Sequence, residues 1–150
     1  MRSGSIDLKS GRWHRFTATD AAGAVMELVQ VGNPHNKMRV RLPAHWQQLG
    51  DRDVEELARM PEVRLWTDDT FIPWRVSAVG PDTEFPYPLR RRHLVFDSDR
   101  TWAGIVEFDD ARQLGDLTDF ELRELRDSIR DFGGRRRGYR PPRINPSAHA

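Results

Sequence analysis

The chain has 150 residues, 31% of them charged and 37% hydrophobic, with five Trp, seven Phe and no Cys. That length suits one ordinary domain or two very small ones, the missing Cys excludes disulfides and thiolate metal sites, and no apolar run approaches the ~18 residues of a membrane-spanning helix. Charge is nearly balanced, yet five Arg and no acid fall within residues 135–150, which leaves 19 basic against 23 acidic residues elsewhere: an acidic body with a basic tail.

Residues 1–10 are polar and rich in Gly and Ser, and read as an N-terminal arm. They lack the apolar stretch of a secretory signal, so a cytoplasmic location is expected. Arg12 to Thr19 reads as a strand, Asp20-Ala21-Ala22-Gly23 as a turn, and Ala24 to Val31 as the hairpin partner. Gly32-Asn33-Pro34-His35-Asn36 is a turn cluster. From Lys37 to Leu42 the pattern alternates, with Met38, Val40 and Leu42 on one face and Arg39 and Arg41 on the other. A loop through Trp46 leads to a predicted helix from Asp51 to Arg59, stopped by Pro61.

The second half opens with a strand at Val63–Thr67, a turn at Asp68-Asp69, and a strand from Ile72 to Val79 whose Pro73 places its start at an edge or bulge. The three prolines within residues 81–89 hold that stretch extended across a surface. His93–Asp97 and Thr101–Phe108 form a predicted hairpin. The last helix has the clearest punctuation, because Thr118 and Glu121 form a capping box. Leu122, Leu125, Ile129 and Phe132 give it one apolar stripe, and Gly133-Gly134 is its stop.

Two stretches of the chain say nearly the same thing. Leu49 to Leu57 lies over Leu117 to Leu125 without a gap, with Asp53 meeting Glu121 and Val54 meeting Leu122. The same offset puts Met38 on Val106 and Val40 on Phe108. This predicts an internal duplication: an arm (1–10), a first β-rich unit with its helix (11–61), a second (62–134), and an Arg/Pro-rich tail (135–150). The expected fold class is α+β, with short, mostly antiparallel strands curled into two small half-barrels, each closed by an amphipathic helix. A single meandering sheet of about seven strands with both helices on one face is the alternative.

No motif names a reaction. His14, His35, His45, His93 and His149 fall in no metal-ligand spacing, and phosphate-loop, dinucleotide and nucleophile-elbow patterns are absent. Asp97-Ser98-Asp99 and Asp109-Asp110 read as turn residues before they read as cation ligands. The expectation is a non-catalytic protein with no cofactor and no metal. What the sequence does offer is segments that order on a partner, together with aromatic anchors at Phe71, Trp74, Phe85 and Tyr87. For Phe71 and Trp74 the alternative is that they fill the core. In the tail, Arg135, Arg136, Arg137, Tyr139, Arg140 and Arg143 suit a protein partner, anionic lipid head groups or, as the alternative function, RNA or DNA.

The pattern Trp66-x-Asp68, Trp74-x-Val76, Leu94-x-Phe96 and Leu117-Thr118-Asp119-x-Glu121-Leu122 resembles small β-rich bacterial proteins. It is similar in kind to a membrane-extrinsic, pigment-free subunit of a bacterial reaction centre–light-harvesting complex. That resemblance implies a scaffold clamping the reaction centre to its antenna ring on the cytoplasmic face, peripheral to the membrane through its protein partners.

Overall fold

The structure, a computed structural model, describes residues 4–82, 89–101 and 104–132. Among these residues eight strands run β1 (Gly4–Leu8), β2 (Gly11–Asp20), β3 (Gly23–Gln30), β4 (Asn33–Arg41), β5 (Val63–Thr67), β6 (Pro73–Val79), β7 (His93–Asp97) and β8 (Gly104–Glu107). Helix α1 (Asp51–Arg59) lies between β4 and β5, and α2 (Asp119–Phe132) follows β8; each is preceded by one 3-10 turn, at Trp46–Gln48 and Leu114–Asp116. All eight strands form one antiparallel sheet in chain order. The α+β class therefore holds, in its single-meander form. The two half-barrels are not separate sheets, because β4 pairs directly with β5 through Lys37↔Leu65, Met38↔Arg64 and Arg39↔Val63.

Two local expectations need correction. The arm at 1–10 contains an edge strand: Ile6 is buried opposite Trp13, and Asp7 is bound by Arg12 across the pair. Ile6 and the half-buried Leu8 anchor β1, a pattern of two residues that is too short to announce a strand. The turn cluster at Gly32–Asn36 is shorter than its composition suggests, since β4 already begins at Asn33. The register shift at Val29/Gln30 accommodates Pro34, which has no N–H to give a ladder. Asn36 is fully buried there, donating to Gln30 Oε1 at 2.8 Å and accepting from the Thr67 backbone N–H at 3.1 Å.

Strand alternation sends one set of side chains inward, toward both helices. Ile6, Trp13, Met26, Leu28, Met38 and Val40 pack with Val54 and Ala58 of α1. Trp66, Trp74, Val76, Leu94, Phe96, Val106 and Phe108 pack with Leu122 and Ile129 of α2. Met38 and Arg64 sit directly opposite each other, so both clusters lie on the same face. Arg64 occupies the seam between them and is fully buried. Its guanidinium donates to the carbonyls of Leu114 at 2.9 Å and Leu117 at 2.5 Å, and lies over the Trp13 ring at 5.4 Å. Burial lowers the Arg64 pKa to about 10, against the opposing pull of Asp119, Glu121 and Asp116.

The two halves also interlock through their turns. Ser10 Oγ donates to the Gly115 carbonyl at 2.6 Å, and Arg59 at the end of α1 lies 3.7 Å from Asp116. The end of α1 presses so closely on Gly115 that an added Cβ would come within 2.8 Å of Arg59 Cα and nearer still to the Ala58 carbonyl. Backbone cannot yield there as a flexible side chain would. Gly115→Ala is expected to cost about 1–3 kcal/mol of stability, the usual cost of overpacking, whereas Gly4→Ala, which meets only the Arg15 guanidinium at 3.5 Å, is expected to be near neutral. Arg64→Ala, which strips two buried carbonyls of their donor and leaves a cavity, is expected to cost roughly 3 kcal/mol or more. Urea unfolding curves followed by Trp fluorescence check all three.

Candidate interaction surface

The most unusual local geometry lies at the β5–β6 connection. Asp68 follows directly on β5 with its carboxylate buried and satisfied from every side. One oxygen accepts the backbone N–H of Thr70 at 2.8 Å, the Thr70 hydroxyl at 2.8 Å and the Ile72 N–H at 2.9 Å. The other accepts the Trp74 indole N–H at 2.8 Å and Arg126 from α2 at 2.8 Å. Burial pushes the Asp68 carboxyl up, but the donors from Trp74, Ile72 and Thr70 outweigh it and hold the pKa at about 2. Arg126 is buried as well, is bound by Asp68, Asp69 and Asp127, and stacks on Trp66 at 5.7 Å.

This network fixes a tight loop in which Asp68 N–H donates to the Ile72 carbonyl and Phe71 N–H to the Asp68 carbonyl, both at 3.0 Å. Phe71, at its tip, has φ of 62°, the only positive φ outside glycine among the described residues, and is 79% exposed. A left-handed conformation costs a bulky residue about 1–2 kcal/mol, and the ring gains no burial in return. Arg100 donates to the Phe71 carbonyl at 3.1 Å and holds the loop from the far side. Phe120, 59% exposed in the first turn of α2, belongs to the same region: Arg123 lies over its ring at 5.6 Å and reaches Asp69 at 3.9 Å. The Thr118–Glu121 capping box forms as expected and fixes this turn, with bonds of 3.0 and 3.2 Å.

The predicted anchors are thus separated. Phe71 faces solvent. Trp74 does not: it is 4% exposed, packed edge-on against Phe96 at 6.1 Å with its indole N–H committed to Asp68, so its role as a partner anchor is corrected to a core role. Phe85, Tyr87, Arg135, Arg136, Arg137, Tyr139, Arg140 and Arg143 lie outside the described residues. The other candidates take local roles. Asp99 pairs with Arg75 at 3.2 Å, Asp109 accepts the Ala111 N–H at 2.8 Å, and His93 Nδ1 lies 2.8 Å from the Arg91 carbonyl. Among the described residues no three His, Asp or Glu gather as metal ligands, and no helix is long and apolar enough to cross a membrane. The sequence reading missed Asp68, Arg126 and Phe120; only the turn propensity of Asp68-Asp69 pointed toward this loop. No protein-family model, curated protein or solved structure matches the chain.

Asp68 has a folded pKa below its ordinary 3.8, so its ionised form stabilises the fold. That contribution, about 2 kcal/mol by linkage, is fully present above roughly pH 4 and is lost as pH falls through about 2. Asp68→Asn should lower stability at neutral pH by about 2–4 kcal/mol, because Arg126 then keeps a buried charge with fewer partners. It should also flatten the acid limb of the stability profile, as measured by urea unfolding across that pH range.

Proposed function

We propose that this protein is a non-catalytic interaction subunit that holds a larger assembly together, with Phe71 as the described part of its docking surface. The observation that carries this reading is the pairing of two unfavourable features on one residue. Phe71 is both strained and exposed, and the Asp68 network is what keeps it so. Strain held in place by over-determined surroundings points to a functional position, and an aromatic side chain presented rigidly loses little freedom on docking. Its partner is then a protein surface with an apolar pocket. Phe85, Tyr87 and the tail arginines would extend the contact, with anionic lipid as a further contact for the tail.

We also propose that the two halves descend from one duplicated strand-and-helix unit. In support, the 3-10 turns begin at Trp46 and Leu114 and the helices at Asp51 and Asp119, which is the offset of the sequence match. The N-cap bonds correspond too, Gly50 N–H to Asp53 at 3.3 Å and Thr118 N–H to Glu121 at 3.0 Å. Strand pairing departs from a strict copy by two positions: Met26 faces Val40, but Leu94 faces Val106 and not Phe108.

Phe71→Gly separates function from stability. Removing the strained side chain should raise stability by about 1 kcal/mol, yet weaken co-purification with the partner assembly. The reaction centre with its antenna ring, the assembly that the sequence resemblance implies, is the first to test, by pull-down from native membranes with and without detergent. Loss of stability in Phe71→Gly, or undiminished capture, would remove Phe71 from the contact. Tail-dependent capture of RNA or DNA at physiological salt, untouched by Phe71→Gly, would favour the nucleic-acid alternative.

A further inference from the structure

The sheet's second face, turned away from both helices, is finished differently in its two halves. Over β6–β8, Val79 and Ile105 are buried with Val95 beneath Leu89, which comes from the 80–92 connection. The equivalent connection between β2 and β3 is the tight turn at Ala21-Ala22, too short to roof the sheet, and of the outward apolar residues in this half only Val25 beside it is buried, at 2%. Over β2–β5, Phe16 and Leu65 therefore stand 49% and 38% exposed, with Val29 on β3 and Val63 on β5 half-buried and Val31 45% exposed just past the end of β3.

The charges on this bare area are not all matched. Arg39 and Arg41 are held by Asp20 and Glu62, and Arg75 by Asp99. Glu27 and Lys37 are the exceptions, their side chains having no hydrogen bond or ion pair to any described residue. Lys37 sits directly opposite Val29, and Glu27 lies two positions before Val29 on the same strand and face. One free carboxylate and one free ammonium thus flank an apolar centre.

We propose that this face packs against the same face of a second copy of the chain. A two-fold axis in the interface that bisects the line from Glu27 to Lys37 lays each carboxylate over the other copy's ammonium, with Val29 beside the axis. The two residues are offset diagonally, one strand and two positions apart, so the strands of the two sheets cross steeply, in the orthogonal class of sheet packing. An isologous contact of this kind closes at two copies. From strand spacing and rise, the outer face of β1–β5 offers roughly 600 Å² per copy, which is the low end of specific interfaces. The dimer is accordingly weak and exchanges with monomer.

The proposal goes beyond the Phe71 contact and shares no residue with it. Sedimentation equilibrium of the full chain is expected to show monomer–dimer exchange with a dissociation constant on the order of micromolar. Glu27→Lys or Lys37→Glu alone should weaken it at least about tenfold, by placing like charges face to face, and the double exchange should restore it. Phe16→Ser and Leu65→Ser should each weaken it, while Phe71→Ala leaves it unchanged. All four face positions are exposed or at the surface, so matching thermal melts confirm that the variants fold, and either single reversal is sufficient if the other does not. A chain that stays monomeric at every concentration, a dimer indifferent to the single reversals, or a double exchange that fails to restore association would each overturn the proposal.

Discussion

A single buried guanidinium sets the terms for the rest of this molecule. Arg64 sits where two hydrophobic clusters meet on one sheet face, and no apolar side chain could do what it does there. The 3-10 turn at Leu114–Asp116 ends with carbonyls aimed into the interior, and Arg64 supplies their donor. Its flat face meanwhile covers Trp13 of the first cluster. A long cation in such a position loses its hydration, so its pKa falls, and the nearby acids of the turn and of α2 offset part of that cost. The consequence is that the two clusters, distinct in their residues, are tied together at one joint. The first half contributes Trp13 and Ser10 to a joint that the second half completes with Leu114, Gly115 and Leu117.

That joint fixes α2, and α2 in turn fixes the exposed loop. Arg126 leaves the helix to bind Asp68, and Asp68 gathers the backbone of Thr70 and Ile72 together with the Trp74 indole. The Trp74 and Arg126 donors are held by packed elements, so the loop cannot relax into an unstrained conformation without giving up several of these hydrogen bonds. Leaving buried partners unmade costs more than holding one residue left-handed. The exposed ring of Phe71 is therefore the far end of a chain of constraints that begins in the core.

The two faces of the sheet carry a division of labour. The inner face is closed by helices and holds the fold. The outer face is covered by Leu89 over its last strands, while over its earlier ones Phe16, Leu65 and two unmatched charges remain in solvent. The exposed hairpin tip at Phe71 and the outer sheet surface thus share no residue with each other.

Much of the fold was legible in the sequence because local rules decide it. The alternation from Lys37 to Leu42, the hairpin around Ala21-Ala22, the boundaries of α1 and the capping box of α2 rest on side-chain period, turn chemistry and end-group hydrogen bonding within a few residues. What local rules do not set is which strand pairs with which, and so the two predicted half-barrels proved to be one sheet joined at β4 and β5. The site was less legible. Phe71 and Trp74 are both aromatic residues flanking the same turn, and composition cannot say which is buried. That was decided by Arg126, 58 positions from Asp68: by drawing the carboxylate inward, it gives the Trp74 indole its partner and leaves Phe71 turned outward. The sequence by itself determined the elements and their ends, and only the tertiary structure, through buried charge pairing across distant segments, decided which side chains each element buries and which it leaves exposed.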